Sequence, residues 1–222
     1  MNSTVDQAYE KYIVKVEKNA TNDGLSTDKA RFVLLFNEEQ NRFIENLLDK
    51  RGDDDIRYIQ NFLKKDKKIS TSSKYLDSFA FPLPADYLDF SSVYANVSRE
   101  TCTDKRITLY PLKDEDSNQI IPDTYTSPSF KWRESWFTIN SNNLSVYTDD
   151  FSVDNIILSY YRYPNKIGQL NPNDSESPFI QATLEWDDKA LDRIITLMVS
   201  NFLLSEQNPA FQAQKQQSAT KQ

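Results

Sequence analysis

The sequence predicts an α+β fold: N-terminal helices, a small antiparallel β domain, a returning C-terminal helix and an extended tail. Three observations carry this. Up to about residue 68, apolar side chains recur at three- and four-residue spacing. From residue 69 the pattern changes to short alternating runs rich in β-branched and aromatic residues. Helical spacing returns near residue 183. Such segregation of helices and strands indicates α+β rather than a doubly wound sheet. The expected division is a helical region 1–68, a β domain 69–178, a helix within 179–206 that packs with the first helices, and a Gln-rich tail 207–222.

Each element has a local signature. Ser3 or Thr4 can cap a first helix whose stripe is Val5, Ala8, Tyr9, Tyr12, Ile13 and Val16. Asn22-Asp23-Gly24 ends it. A second helix is expected from Ser26 or Thr27 to about Lys50, with Phe32, Leu35, Phe36, Phe43, Ile44, Leu47 and Leu48 inward and Arg51-Gly52 as its stop. A short third helix follows Asp53-Asp54-Asp55, with Ile56, Ile59 and Leu63 on one side. Phe79 to Pro84 alternates large apolar residues with Ala and Pro, which no helix tolerates, and reads as an edge-like extended segment. Strands are then expected at Ser91–Val97, Ile107–Tyr110, Trp136–Ile139, Leu144–Tyr147 and Ile156–Tyr163. Ser141-Asn142-Asn143 is a hairpin turn between two of them. The last helix carries Leu191, Ile194, Ile195, Met198 and Phe202 inward.

Composition argues against catalysis. The 222 residues contain no His, one Cys and three Gly. Without imidazole, Ser-His-Asp and Cys-His nucleophiles cannot be built from this chain, and a lone Cys102 cannot form a zinc cage. Gly24, Gly52 and Gly168 are too far apart for a phosphate-cradling loop. No cofactor, metal or catalytic residue is expected. A hydrolase using carboxylates alone is the enzyme class left open. No apolar run approaches membrane-helix length, and no basic-then-apolar leader opens the sequence. Net charge is −7 and uneven: residues 1–74 hold 14 basic and 13 acidic residues, residues 75–222 hold 12 and 20.

The remaining candidates each have a plainer explanation. Asp114, Asp116 and Asn118 match the start of a calcium loop, but Gln119 and Tyr125 stand where Gly and Glu are needed. The doublets Asp149-Asp150 and Asp187-Asp188 suit turns and helix capping better than an acid/base pair. Lys64-Lys65-Asp66-Lys67-Lys68 reads as a solvated helix end rather than a nucleic-acid contact. The aromatic runs Phe130-Lys131-Trp132, Trp136-Phe137 and Tyr160-Tyr161-Arg162-Tyr163 suit a core plus a subunit interface. The candidate interface residues are Phe81, Pro82, Leu83, Pro84, Trp132, Tyr161, Arg162, Tyr163, Pro209 and Phe211.

The order of motifs carries a resemblance. Phe32-x-x-x-Phe36-Asn37-Glu38-x-Gln40 is followed by Phe81-Pro82-Leu83-Pro84-Ala85-Asp86-Tyr87, Ser127-Pro128-Ser129-Phe130, Leu144-x-Val146-Tyr147 and Ile157-x-Ser159-Tyr160-Tyr161-Arg162-Tyr163-Pro164. Over roughly residues 26 to 204 this resembles the head-to-tail adaptor and tail ring proteins of short-tailed bacteriophages, most of all the ring proteins of crAss-like phages. The resemblance implies a virion protein made in the host cytoplasm. It implies a closed ring of identical subunits, twelvefold, that binds the portal protein on one side and a tail ring or hub on the other. Genomic DNA passes through the lumen without sequence-specific contacts. A carbohydrate-binding or adhesin-like β module is the alternative expectation, motivated by the aromatic strands.

Overall fold

The computed structural model describes residues 3–19, 28–50, 57–70, 73–75, 77–168 and 184–207. It has the expected α+β composition and divides into two compact units. One unit comprises Met1–Asn61 with Pro164–Gln222, the other Phe62–Tyr163. The β unit is thus an insertion in the chain of the helical unit. It begins at Phe62 and closes at Tyr163, against the expected limits of 69 and 178.

The helical unit contains α1 (Val5–Asn19), α2 (Lys29–Lys50) and the last long helix, Asp188–Gln207. Helix α1 starts with a reciprocal capping box. The Gln7 amide donates to Thr4 Oγ1 at 3.3 Å, and the Thr4 amide donates to Gln7 Oε1 at 3.0 Å. Helix α2 is capped by Asp28, whose carboxylate accepts from the Arg31 amide at 2.6 Å; the expected caps Ser26 and Thr27 lie outside the described residues. Asp187 caps the last helix through the Ala190 amide at 2.7 Å. Expected stripe residues Val5, Ala8, Tyr12, Val16, Phe32, Phe36, Phe43, Ile44, Leu191, Ile194, Ile195 and Phe202 are all buried. Burying each Val, Leu, Ile or Phe side chain among them is worth roughly 1.5–3 kcal/mol. Tyr12 packs its ring against both Phe32 and Phe202, which joins the three helices.

Polar links align the helices. The Ser3 hydroxyl donates to Asp188 at 2.6 Å and the Leu184 amide to the Ser3 carbonyl at 3.0 Å. That hydroxyl, with the Lys11 ammonium nearby, holds the Asp188 carboxyl below the usual carboxylate range. Asn37 on α2 clasps the backbone of Ile167 from both sides, donating to its carbonyl (2.8 Å) and accepting from its amide (2.9 Å). Gln40 donates to the Asn165 carbonyl and accepts from the indole of buried Trp186.

The β unit is one eight-stranded sheet: β1 (Leu63–Ser70), β2 (Ser73–Lys74), β3 (Ser78–Pro82), β4 (Tyr87–Arg99), β5 (Cys102–Pro111), β6 (Glu134–Asn140), β7 (Asn143–Tyr147) and β8 (Ser152–Arg162). Their order in space is β1-β8-β4-β5-β6-β7-β3-β2. The sheet curls, because its two edges are neighbours in sequence. Ser70 ends β1 and Ser73 begins β2, so the chain permits at most about 11 Å between them. Strands from both ends accordingly feed one core, with Ile69 of β1, Phe79 and Phe81 of β3, Phe137 of β6 and Leu158 of β8 in a single cluster. Four of the five expected strands lie within β4 to β7, the fifth overruns the end of β8 by Tyr163 alone, and Ser141-Asn142 forms the β6–β7 turn with Asn140 opposite Asn143. Ser141 takes φ 53°, a left-handed conformation that the glycine-poor chain assigns to a serine.

Two expectations are corrected. Residues 64–68 are not a helix end. A short helical stretch covers 57–59, a 3₁₀ turn follows at Gln60–Phe62, and the lysine run is edge strand β1, paired with β8. Without β1, the outer backbone groups of β8 would lack partners, and this outweighs the helical preference of lysine. Nor is the sheet wholly antiparallel, since β5 and β6 run parallel. Parallel neighbours need a crossover of a dozen or more residues. Residues 112–133 supply it, and include the 3₁₀ turn Asp114–Asp116 and the four-residue helix α3 (Ser117–Ile120). The long last helix is therefore α4.

Candidate interaction surfaces

The two motifs Leu83-Pro84-Ala85-Asp86-Tyr87 and Tyr160-Tyr161-Arg162-Tyr163 meet at one end of the β unit. Pro84 to Tyr87 is a tight turn closed by the Tyr87 amide on the Pro84 carbonyl at 3.0 Å. Asp86 in this turn accepts twice from the far end of β8. Its carboxylate takes the Tyr160 hydroxyl at 2.9 Å, and its carbonyl takes the Tyr163 amide at 2.9 Å. Tyr87 lies opposite Arg162 in the β4–β8 ladder, and its ring stands 5.9 Å from that of Tyr160. Burial pushes both phenols up, Tyr160 to about 12 and Tyr87 further, with Asp86 and Asp89 adding to the respective effects. Both rings therefore stay neutral at ordinary pH and act as packing groups and hydrogen-bond donors.

The expected interface residues fall into three groups. Phe81 is wholly enclosed in the β core and offers no surface to a partner. Strand alternation explains this, because Phe79 and Phe81 point the same way and the core needs that side. Leu83, Pro84, Tyr161 and Arg162 are half-buried, with the Arg162 guanidinium over the Phe62 ring at 5.4 Å. Pro82, Tyr163 and Trp132 are exposed, and Trp132 is 72% accessible on the crossover. Pro209 and Phe211 lie outside the described residues.

Sequence reasoning singled out Trp136 within an aromatic run but missed its neighbours Tyr110 and Tyr94 on the outer face of the sheet. Tyr110 of β5 stands beside Trp136 of β6 with rings 5.8 Å apart, and Arg106 stacks on Tyr94 at 3.9 Å. The crossover lies against this face, since the Trp136 indole donates to the Thr126 carbonyl at 2.6 Å. Exposed Tyr125 and Trp132 belong to the same crossover. The signal was present in the alternation of β5, where Ile107 and Leu109 face inward and Tyr110 outward.

The acidic candidates behave as turn and pairing groups. Asp150 forms an ion pair with Arg99 at 2.5 Å, beside an open polar depression of about 380 Å³ that Asp149, Lys74 and Glu100 also line. Asp114 and Asp116 sit in the 3₁₀ turn, where Asp114 accepts from Ser117 and Asn140. Among the described residues, no group of three or more Cys, Asp or Glu is placed to hold a metal ion, and no helix is long and apolar enough to cross a membrane. No protein-family model matches the sequence, and no curated protein matches it significantly.

Proposed function

We propose that this chain is a structural subunit of a bacteriophage virion. It assembles as a homo-oligomeric ring between the capsid portal and the tail, around the channel through which the genome passes. The ordered motifs that resemble phage ring proteins support the class of function. The observation that carries the reading is that both compact units leave large apolar side chains in water. Leu34 and Leu204 of the helical unit are 71% and 66% accessible, and Tyr125 and Trp132 of the β unit 94% and 72%. Tyr and Trp are among the residues enriched at protein interfaces, and a subunit with neighbours on several sides needs such groups on more than one unit. A head-to-tail contact between identical subunits then closes into a ring. Net acidity suits a channel that DNA traverses without adhering.

Native mass spectrometry of the chain mixed with the portal and neighbouring tail proteins of its own genome tests this. A closed ring of about twelve copies is expected from the resemblance. A chain that stays monomeric in that mixture sinks the reading. The exposure of Trp132 favours one second reading, a carbohydrate-binding module of a phage tail. Glycan-array binding lost in Trp132→Ala, with no ring formed, selects it instead.

A further inference from the structure

The β unit carries its charge asymmetrically. Strand β1 holds four lysines and one aspartate, while the rest of the unit holds eight basic and thirteen acidic residues. Lys64, Lys65 and Lys68 are exposed and have no carboxylate partner among the described residues. The strand itself is unsuited to pairing with another strand. A bulge between Lys64 and Lys67 puts Asp66 at φ 53°, and Lys67 leans over the Tyr160 ring at 5.8 Å. Bulges and inward-leaning charges on a sheet edge block strand addition. What β1 offers a partner is therefore positive charge, with a bulge that interrupts its backbone ladder between Lys64 and Lys67.

We propose that the lysine edge of β1 docks side by side on the acidic crossover flank of a second copy of this chain. This deepens the ring reading and rests on it. Charge complementarity and topology argue for that occupant. The exposed residues Asp114, Glu115 and Asp116 follow β5, which stands fourth in the spatial order where β1 stands first. In an eight-stranded sheet curled until its ends nearly meet, that is close to half a circuit away. The steps β1-β8, β8-β4 and β4-β5 are all antiparallel, so β5 ends at the level where β1 begins. The basic and acidic patches thus lie at one height on opposite flanks of the β unit. A head-to-tail contact needs two different patches on one subunit, and this disposition lets it repeat sideways.

Two variants of the full chain test it: Lys64→Glu/Lys65→Glu/Lys68→Glu and Asp114→Lys/Glu115→Lys/Asp116→Lys. All six positions are at the surface, and unchanged circular dichroism and melting confirm folding. Sedimentation velocity and native mass spectrometry, with and without the portal, read assembly in low salt and at about 0.5 M, where screening is nearly complete. Each variant alone is expected to assemble at least tenfold more weakly than the wild type in low salt. A chain carrying both sets of reversals is expected to recover, and high salt to reduce the difference. Rings that form equally well in all variants overturn the β1 contact and leave the ring reading intact. A wild type that never assembles defeats the ring reading itself. If the lysine variant assembles normally but loses binding to duplex DNA, the edge is a phosphate contact and the proposal is wrong.

Discussion

The Tyr160 hydroxyl donates to Asp86 Oδ1 across 2.9 Å, although 74 positions separate the two in sequence. With the Tyr163 amide on the Asp86 carbonyl, this bond makes one corner out of a proline-bounded turn and the end of a strand. Removing the hydroxyl leaves Asp86 in contact with water, so the cost is that of one charge-assisted bond. Tyr160→Phe is expected to lower stability by about 1.5–3 kcal/mol, read as a shift in the urea midpoint at constant slope.

The same corner sets an alkaline limit. The Tyr160 phenol is held up at about 12 and Tyr87 is raised as well. In the unfolded chain both titrate near 10. The unfolded state then binds fewer protons than the folded one above that pH, so stability is full below 10 and falls as pH rises toward 12. Urea titrations at pH 9, 10 and 11 should show this decline, and Tyr160→Phe should make it shallower. A stability independent of pH across that range contradicts the assignment.

In the helical unit, Gln40 accepts from the Trp186 indole and donates to the Asn165 carbonyl. Gln40→Leu keeps the volume but removes an acceptor from a buried indole N–H. A loss of about 1–3 kcal/mol is expected for that group. In Trp186→Phe, which removes the donor, the added effect of Gln40→Leu should shrink, and a double-mutant cycle measures the difference.

Phe137 and Trp132 separate stability from association. Phe137 is enclosed in the curled sheet and meets Phe90 edge to face at 5.2 Å. Phe137→Ala is expected to cost about 3–5 kcal/mol. Trp132 is exposed, so Trp132→Ala should change thermal stability by less than about 0.5 kcal/mol. If Trp132 serves the proposed assembly, that variant weakens association while melting like the wild type. Equal loss of stability in both variants would contradict the burial assigned here.

Helix starts were readable to within a residue or two at Thr4, Thr27 and Asp187, whereas the stripe Ile56, Ile59 and Leu63 overran its helix into strand β1. The Thr4 box, the Asp187 cap and the buried faces of α1, α2 and α4 are local facts of three- and four-residue spacing. The long connection between Tyr110 and Glu134 held the clue to the parallel β5–β6 pair, because adjacent antiparallel strands rarely need so many residues. The interface candidates were less legible. An aromatic in an alternating strand faces either the core or the water, and spacing alone does not say which. Phe81 went one way and Tyr110 the other.

By itself, the sequence determined the α+β class, the helix faces and the places of strands β4 to β8. Those follow from periodicity and composition, which act within a few residues. The tertiary structure decided that the lysine run is a strand, that the sheet curls to bring Ile69 and Phe137 into one core, and that Asp86 locks two distant motifs. Each of these depends on a partner tens of residues away. Unmet backbone hydrogen bonds and buried apolar area at that distance override local preference, and neither can be read from one stretch of chain.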